Sequence, residues 1–569
     1  MLNFKALIIM NIHKIKVFAL GSMLLISTSC QDLLKEEVIS NIGNDYINSA
    51  KGFEDATKAA YSSLRTFYGT QLGLTLTEYG TDIYATGADG GYKGFHFYDT
   101  QIQPTVDYLA ILWDEMYRGI NTCNAVIGRA ATVTGVSDAT KKLRVAEAKF
   151  LRAHYYYILH EQFGPLDLRL TETLAPTKES KRSSSAEVYA QIIKDCNEAI
   201  ADLENKAHSN DYGRATRASA EALLAKVYLA KAYGPNKAAD DFQKAADLCT
   251  SLITKYGFKL LDDFAAVHDE NNQQNAEVVF AVQYTTDQIT NATNAGGEGG
   301  GGNNLHLFFG MTYDTQAGMI RDVFYGRPFR RLRPTAYCLN TVFGERVNDS
   351  RYKKSFRDTW LSNNPGSFNT SFDNSKARVT FAAGDTAIFI PGFEMSREER
   401  AKRKYQVLVP SAYTESLFPA LQKFFDTKRS DRTEPRGSRD CFVWRLADIY
   451  LMRAEANLQL GKKAEAVADV NMVRERAAFP GKKDAMKITE NQLTFDFLVD
   501  ERARELAGEL TRWLDLKRWG LLVDRVKKYN PQASAVADKH YLRPIPQTQI
   551  DRSAKTAEGT SVFPQNPGY

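Results

Sequence analysis

One helical pattern occurs twice, far apart in the chain. Leu224-Ala225-x-x-Tyr228-Leu229-x-x-Ala232 recurs as Leu446-Ala447-x-x-Tyr450-Leu451-x-x-Ala454. Large apolar residues and alanines return every three or four positions, the period of one helix face. The alanines let a second helix approach closely. Such a face cannot be buried by its own helix, so the pattern calls for stacked hairpins sharing a core, as in tetratricopeptide units. The second copy shows the hairpin itself. Gly461 ends its first helix, because glycine accepts the left-handed conformation that helix ends favour. A second helix is predicted to about Phe479, where Pro480-Gly481 stops it.

The rest of the chain supplies more helices of this kind. Phe53, Ala56, Ala60, Leu64 and Phe67 share a face in residues 46–67, and Trp113, Tyr117, Ile120 and Asn124 in the next helix. Ala146, Phe150, Ala153 and Tyr157 do the same before Gly164-Pro165, and residues 184–256 give three more helices. Between them, residues 75–105 are rich in Gly and Tyr and lack a period, so they read as long irregular loops. Residues 277–284 are β-branched and aromatic, a short strand. The glycine run at 296–302 lacks the Lys-Ser/Thr that a phosphate loop needs, and reads as a flexible surface loop. Residues 305–440 are mixed, with strand-like runs such as 387–390.

Residues 501–520 read ERARELAGELTRWLDLKRWG. On one continuous helix Glu501, Glu505 and Glu509 form a stripe, and three bare carboxylates there would repel. Arg502, Arg504 and Arg512 are interleaved, so a salt-bridge ladder is expected, beside an apolar face of Leu506, Leu510 and Trp513. Paired carboxylates also serve acid–base catalysis. Each acid here has an Arg within one turn and no nucleophile is apparent, so a structural ion-pair network is the stronger reading. The run Glu501-Arg502-x-x-Glu505-Leu506-x-x-Glu509-x-x-Arg512-Trp513-x-Asp515-Leu516-x-Arg518-Trp519-Gly520 resembles the signature of the SusD/RagB-like family. That family commonly has Phe where this chain has Gly508, and Gly where it has Leu510. The helices at 113–124 and 146–164, and the tail from Tyr541-Leu542-Arg543-Pro544 to Pro567-Gly568-Tyr569, resemble further family hallmarks.

The N-terminus is a targeting segment. A second in-frame start, Met10, precedes a short basic region, and VFALGSMLLI is an apolar run too short to span a membrane. Ser27-Thr28-Ser29 then lead to Cys30, whose thiol is placed to take a diacylglyceryl lipid; the plainer alternative is an ordinary cleaved signal. Five further cysteines show no CxxC, and an odd number left after processing argues against a complete disulfide framework. Eight scattered His suggest no zinc site, and no cofactor is expected. A net charge of +5 over 569 residues, without a basic block carrying aromatics, gives no reason to expect nucleic acid.

The resemblance implies a mainly α fold of tetratricopeptide-like hairpins with long irregular insertions and a few short strands. Residues 1–29 are then a lipoprotein signal peptide and 30–45 a lipidated tether. Residues 46–569 form a single domain, with helical scaffold at 46–256 and 441–530 and an insertion at about 270–440. It also implies a lipid-anchored outer-membrane protein, facing the cell exterior, that binds a glycan or oligosaccharide and delivers it to a SusC-like TonB-dependent transporter. Alternatives are uptake of a peptide, or a surface glycoside hydrolase with two carboxylates facing one sugar. No catalytic residue stands out, so no enzymatic activity is expected. A glycan site needs exposed aromatic planes with polar groups around them. Trp113, Trp444, Trp513 and Trp519 lie in helical patterns and read as core. Trp360, in the polar stretch DTWLSNNPG, is the tryptophan expected on the surface, with Tyr92, Phe95, Phe97, Phe309 and Tyr313 beside it in kind.

Overall fold

The computed structural model describes residues 44–287, 290–291, 301–370 and 372–569. The signal, Cys30 and most of the glycine run lie outside the described residues.

The fold is mainly α and tetratricopeptide-like. Its principal helices are α1 (Ala50–Ser62), α2 (Asp107–Arg129), α3 (Asp138–Phe163), α4 (Ser185–Asp202), α5 (Arg217–Ala232), α6 (Asp241–Lys255), α7 (Leu446–Gln459), α8 (Lys463–Ala477), α9 (Phe495–Leu506) and α10 (Arg512–Arg518). Side-chain caps set several starts. Ser184 Oγ accepts from the Glu187 amide while the Glu187 carboxylate accepts from the Ser184 amide, a capping box contributing about 1 kcal/mol. From α2 to α6 each helix packs on the next, and α7 then packs on α6. The two copies of the helical pattern, in α5 and α7, therefore belong to one array although the insertion separates them in sequence. Nearly every residue of α5 is buried, alanines included, because it has helices on several sides.

Short strands lie at β1 (Tyr84–Thr86), β2 (Val278–Val282), β3 (Leu332–Pro334), β4 (Phe356–Arg357), β5 (Thr359–Leu361), β6 (Thr386–Phe389), β7 (Ala420–Leu421) and β8 (Cys441–Arg445). β2 pairs antiparallel with β8, which clamps the two ends of the insertion together; β1 pairs with β3, β4 with β7, and β5 with β6. Trp444 thus lies in a strand, not in the helix expected for it. It is still core, stacked on His154 at 5.1 Å. The irregular stretch at 75–105 is also more deeply placed than surface loops would be: residues 72–87 are all buried.

The insertion has a core of its own. Met311, Tyr313, Met319, Tyr325, Trp360, Phe381, Ile388 and Phe418 pack together apart from the main helical core.

Candidate functional site

Glu501, Glu505 and Glu509 are the carboxylates that acid–base catalysis would need. The expected single helix is broken. α9 ends at Leu506, Gly508 and Leu510 both take positive φ (+80° and +60°), and α10 starts at Arg512. Glu501 and Glu505 share a helix face; Glu509 lies on the turn. Their cations come mostly from elsewhere in the chain. Glu501 meets Arg351 (2.8 Å), Arg474 (2.9 Å) and Arg504. Glu505 meets Arg445 (2.6 Å), Arg351 (3.0 Å) and Arg476. Glu509 meets Arg445 (2.8 Å) and Lys423 (2.9 Å), with the His268 imidazole, neutral at neutral pH, 3.3 Å away. Arg502 pairs instead with Asp448 and Asp515, and Arg512 with Asp82. Burial pushes the Glu505 carboxyl up, but Arg476, Arg445 and Arg351 outweigh it and hold it at about 2. A carboxylate held ionised and enclosed by guanidinium groups is a poor general acid. The cluster is a structural ion-pair network.

The six aromatics do not form one platform. Phe95 is buried beneath the Arg543 guanidinium, and Phe309 is buried between Tyr84 and Phe424. Tyr313 and Trp360 are both wholly buried and stack on each other, centroids 4.7 Å apart, at the heart of the insertion core. These four offer no ring to a ligand in this conformation, which corrects the expectation for them. For Trp360 the reason is strand parity. Successive β5 side chains point to opposite faces, so Trp360 is buried opposite Ile388 and Leu361 is exposed. Tyr92 and Phe97 are half-buried. Tyr92 stacks on Tyr108 at 3.6 Å and its hydroxyl donates to Asp107 at 3.0 Å. Its loop is clasped by the Ala88 amide donating to the Glu415 carbonyl at 2.9 Å. Gly87 is needed there, since a Cβ would lie 2.0 Å from the Arg330 carbonyl oxygen.

Three apolar side chains from segments near Trp360 face solvent instead. Ile320, Phe324 and Leu361 are 43%, 54% and 45% exposed, which makes an apolar patch on an otherwise polar stretch. The loop that carries Phe324 is held firmly. The Asn363 amide donates to the Ile320 carbonyl (2.8 Å) and Asp322 (2.7 Å), and Arg429 donates to the Val323 carbonyl (2.8 Å). The Tyr325 hydroxyl bridges to the backbone of Leu361 in both directions, at 3.1 and 2.8 Å. Phe324 and Tyr325 are adjacent in the irregular stretch RDVFYG, and one faces out while the other faces in. Sequence reasoning passed over Phe324; a Phe-Tyr pair flanked by charges was the available signal.

Two family models match the chain. Residues 276–569 match the SusD family, and residues 54–229 match a family described as starch-binding, associating with outer membrane. SusD-like protein P25 of Formosa agariphila is 24% identical over 565 residues, 95% of this chain and 97% of the relative. The starch-binding protein SusD of Bacteroides thetaiotaomicron is 25% identical over 465 residues, 76% of this chain and 74% of that protein. Among solved structures, a laminarin-binding SusD-like protein superposes with a TM-score of 0.67 at 23% identity, covering 92% of this chain and all of that one (100%). A SusD homolog from Bacteroides thetaiotaomicron gives 0.68 at 21% identity, covering 92% and 98%.

Proposed function

The chain belongs to the SusD family, and from that premise we propose that it is a cell-surface lipoprotein that binds a glycan and hands it to a SusC-like TonB-dependent transporter in the outer membrane. Relatives named for starch and laminarin binding support a sugar ligand, and the second family description supports association with the outer membrane. The observation that carries the reading to a place on this protein is Phe324, more than half exposed on a loop fixed by Asn363, Arg429 and Tyr325. Sugars present C–H faces that stack on aromatic rings, and a ring held still before binding loses little entropy on doing so. Tyr92 and Phe97 remain secondary candidates on the first loop.

The test is calorimetry on protein lacking residues 1–29, against glycans that it captures from a printed array. Phe324→Ala should lower affinity by roughly three- to tenfold, the range of one aromatic stacking contact. Unchanged affinity would move the site elsewhere, and capture of peptides but no glycan would favour the peptide reading. Cys30 carries the lipid in this scheme. Cys30→Ala should therefore release the protein from the outer-membrane fraction and abolish palmitate labelling. Retained labelling would place the anchor on another residue.

A further inference from the structure

Several buried arginines of this SusD-like scaffold are paired with carboxylates. Arg351, Arg445, Arg502, Arg512 and Arg518 each meet at least one carboxylate. Arg429, Arg439 and Arg543 lack a carboxylate but donate to backbone carbonyls. Arg357, half-buried on β4 beside Phe324, has neither kind of partner among the described residues. Its guanidinium lies among four aromatic rings: Phe425 at 5.0 Å, Tyr325 at 5.1 Å, Phe324 at 5.2 Å and Trp360 at 5.4 Å from the ring centroids. These are cation–π distances. Its Nε is buried without an acceptor. Among the described residues no carboxylate lies within ion-pair distance of it. The nearest acids are engaged: Asp322 accepts from the Tyr325 amide (2.7 Å) and from Asn363 (2.7 Å), and Asp358 accepts from the Thr359 hydroxyl (2.9 Å).

We propose that Arg357 is the receptor for an acidic group on the bound glycan, a uronate carboxylate or a sulfate ester, with the sugar ring lying on Phe324. Partial removal from water makes a cation without a counter-ion unfavourable, and the four rings offset this only in part. An anion brought by the ligand completes the arrangement, because the planar fork of Arg suits both carboxylate and sulfate oxygens. Burial pushes the Arg357 pKa down, as expected for a guanidinium without a close carboxylate partner, and the group remains a cation at neutral pH. The exposed ring and the cation are adjacent, so one sugar residue reaches both. This inference rests on the glycan-uptake reading and narrows it to acidic glycans.

The experiment uses an array carrying neutral, uronate-bearing and sulfated oligosaccharides, followed by calorimetry on the best ligand. Captured glycans should be acidic, and the arm that binds distinguishes carboxylate from sulfate. Arg357→Gln should lower affinity by about tenfold or more, and Arg357→Lys by less. If Arg357→Gln does not fold, the ligand is changed instead: the same oligosaccharide, carboxyl-reduced or desulfated, should lose as much affinity for the unaltered protein. Equal binding of the acidic and neutralised ligands, or capture of neutral glycans alone, overturns the role of Arg357 and leaves the uptake reading standing. Capture of no glycan of any class overturns both.

Discussion

Glu78 sits wholly buried, with one carboxylate oxygen accepting from the Thr511 amide at 3.1 Å and the other without a partner. Burial pushes its carboxyl up to about 8, against an ordinary value of 4.5, since the Thr511 and Arg512 amides and the Arg512 charge offset only part of the desolvation. A raised folded-state value means that its contribution to stability is whole below 4.5 and falls away as pH rises through 8. Glu78→Gln keeps the acceptor for Thr511 and removes the titration. The variant should therefore gain on the unaltered protein between pH 5 and 9, by an amount on the order of a few kcal/mol, read as urea midpoints at both pH values. Parallel pH profiles would show that Glu78 stays ionised. The same scale marks a limit of sequence reading. Trp360 and Leu361 are neighbours in one polar stretch, and composition cannot say which one faces out. The packing of β5 on β6 puts Trp360 inside.

At the scale of the element, the turn between α9 and α10 is the informative case. The four-residue spacing of Glu501, Glu505 and Glu509 reads as one unbroken stripe, and it is correct for the first two only. Gly508 turns the chain at a φ of +80°, and a Cβ there would lie 2.7 Å from Leu421 Cδ2 and 3.1 Å from the Phe424 ring. Gly461 has a similar φ of +75° but nothing within 4 Å of that position. Gly461→Ala should thus cost about 1 kcal/mol, the backbone strain alone. Gly508→Ala should cost about 2–4 kcal/mol, with overpacking added. Chemical denaturation of the two variants separates the terms; equal losses would mean that Leu421 and Phe424 yield freely. The individual helices were legible because their apolar period runs over three or more turns. The break at 507–511 was not, because a local spacing carries no record of what packs against the chain.

At the scale of the molecule, the ion-pair network ties distant segments to one point. Arg351 comes from the insertion, Glu277 from just before β2, Arg445 from β8, Arg474 and Arg476 from α8, and Glu501 and Glu505 from α9. Arg476, Arg445 and Arg351 hold Glu505 at about 2 despite its burial, and Arg445 and Lys423 hold Glu509 well below the carboxylate range. Depressed carboxylates give stability that is present above 4.5 and is lost as pH falls toward the folded-state value. Burial also lowers His268 to about 4 and His154 to about 3, and these too lose stability as pH falls below 6.5. The protein should therefore weaken steeply between about pH 6 and 3. Near-ultraviolet and far-ultraviolet dichroism should report the same acid midpoint, because the network joins scaffold to insertion. Separate midpoints would show that the insertion unfolds by itself.

The sequence by itself determined the helical array, the family, and the structural character of the acidic stripe. Each of these is written in local periodicity, in motif spacing, or in the cost of leaving like charges unpaired. It also marked the insertion as the part that departs from the scaffold. Only the tertiary structure decided which arginine meets which carboxylate, that Trp444 is a strand residue, and that Phe324 is exposed while Trp360 is buried. Those outcomes depend on residues brought together from far along the chain. The pairing of Arg351 with Glu505, or the ring cage around Arg357, exists only once the insertion has folded onto its own core and that core onto the helices.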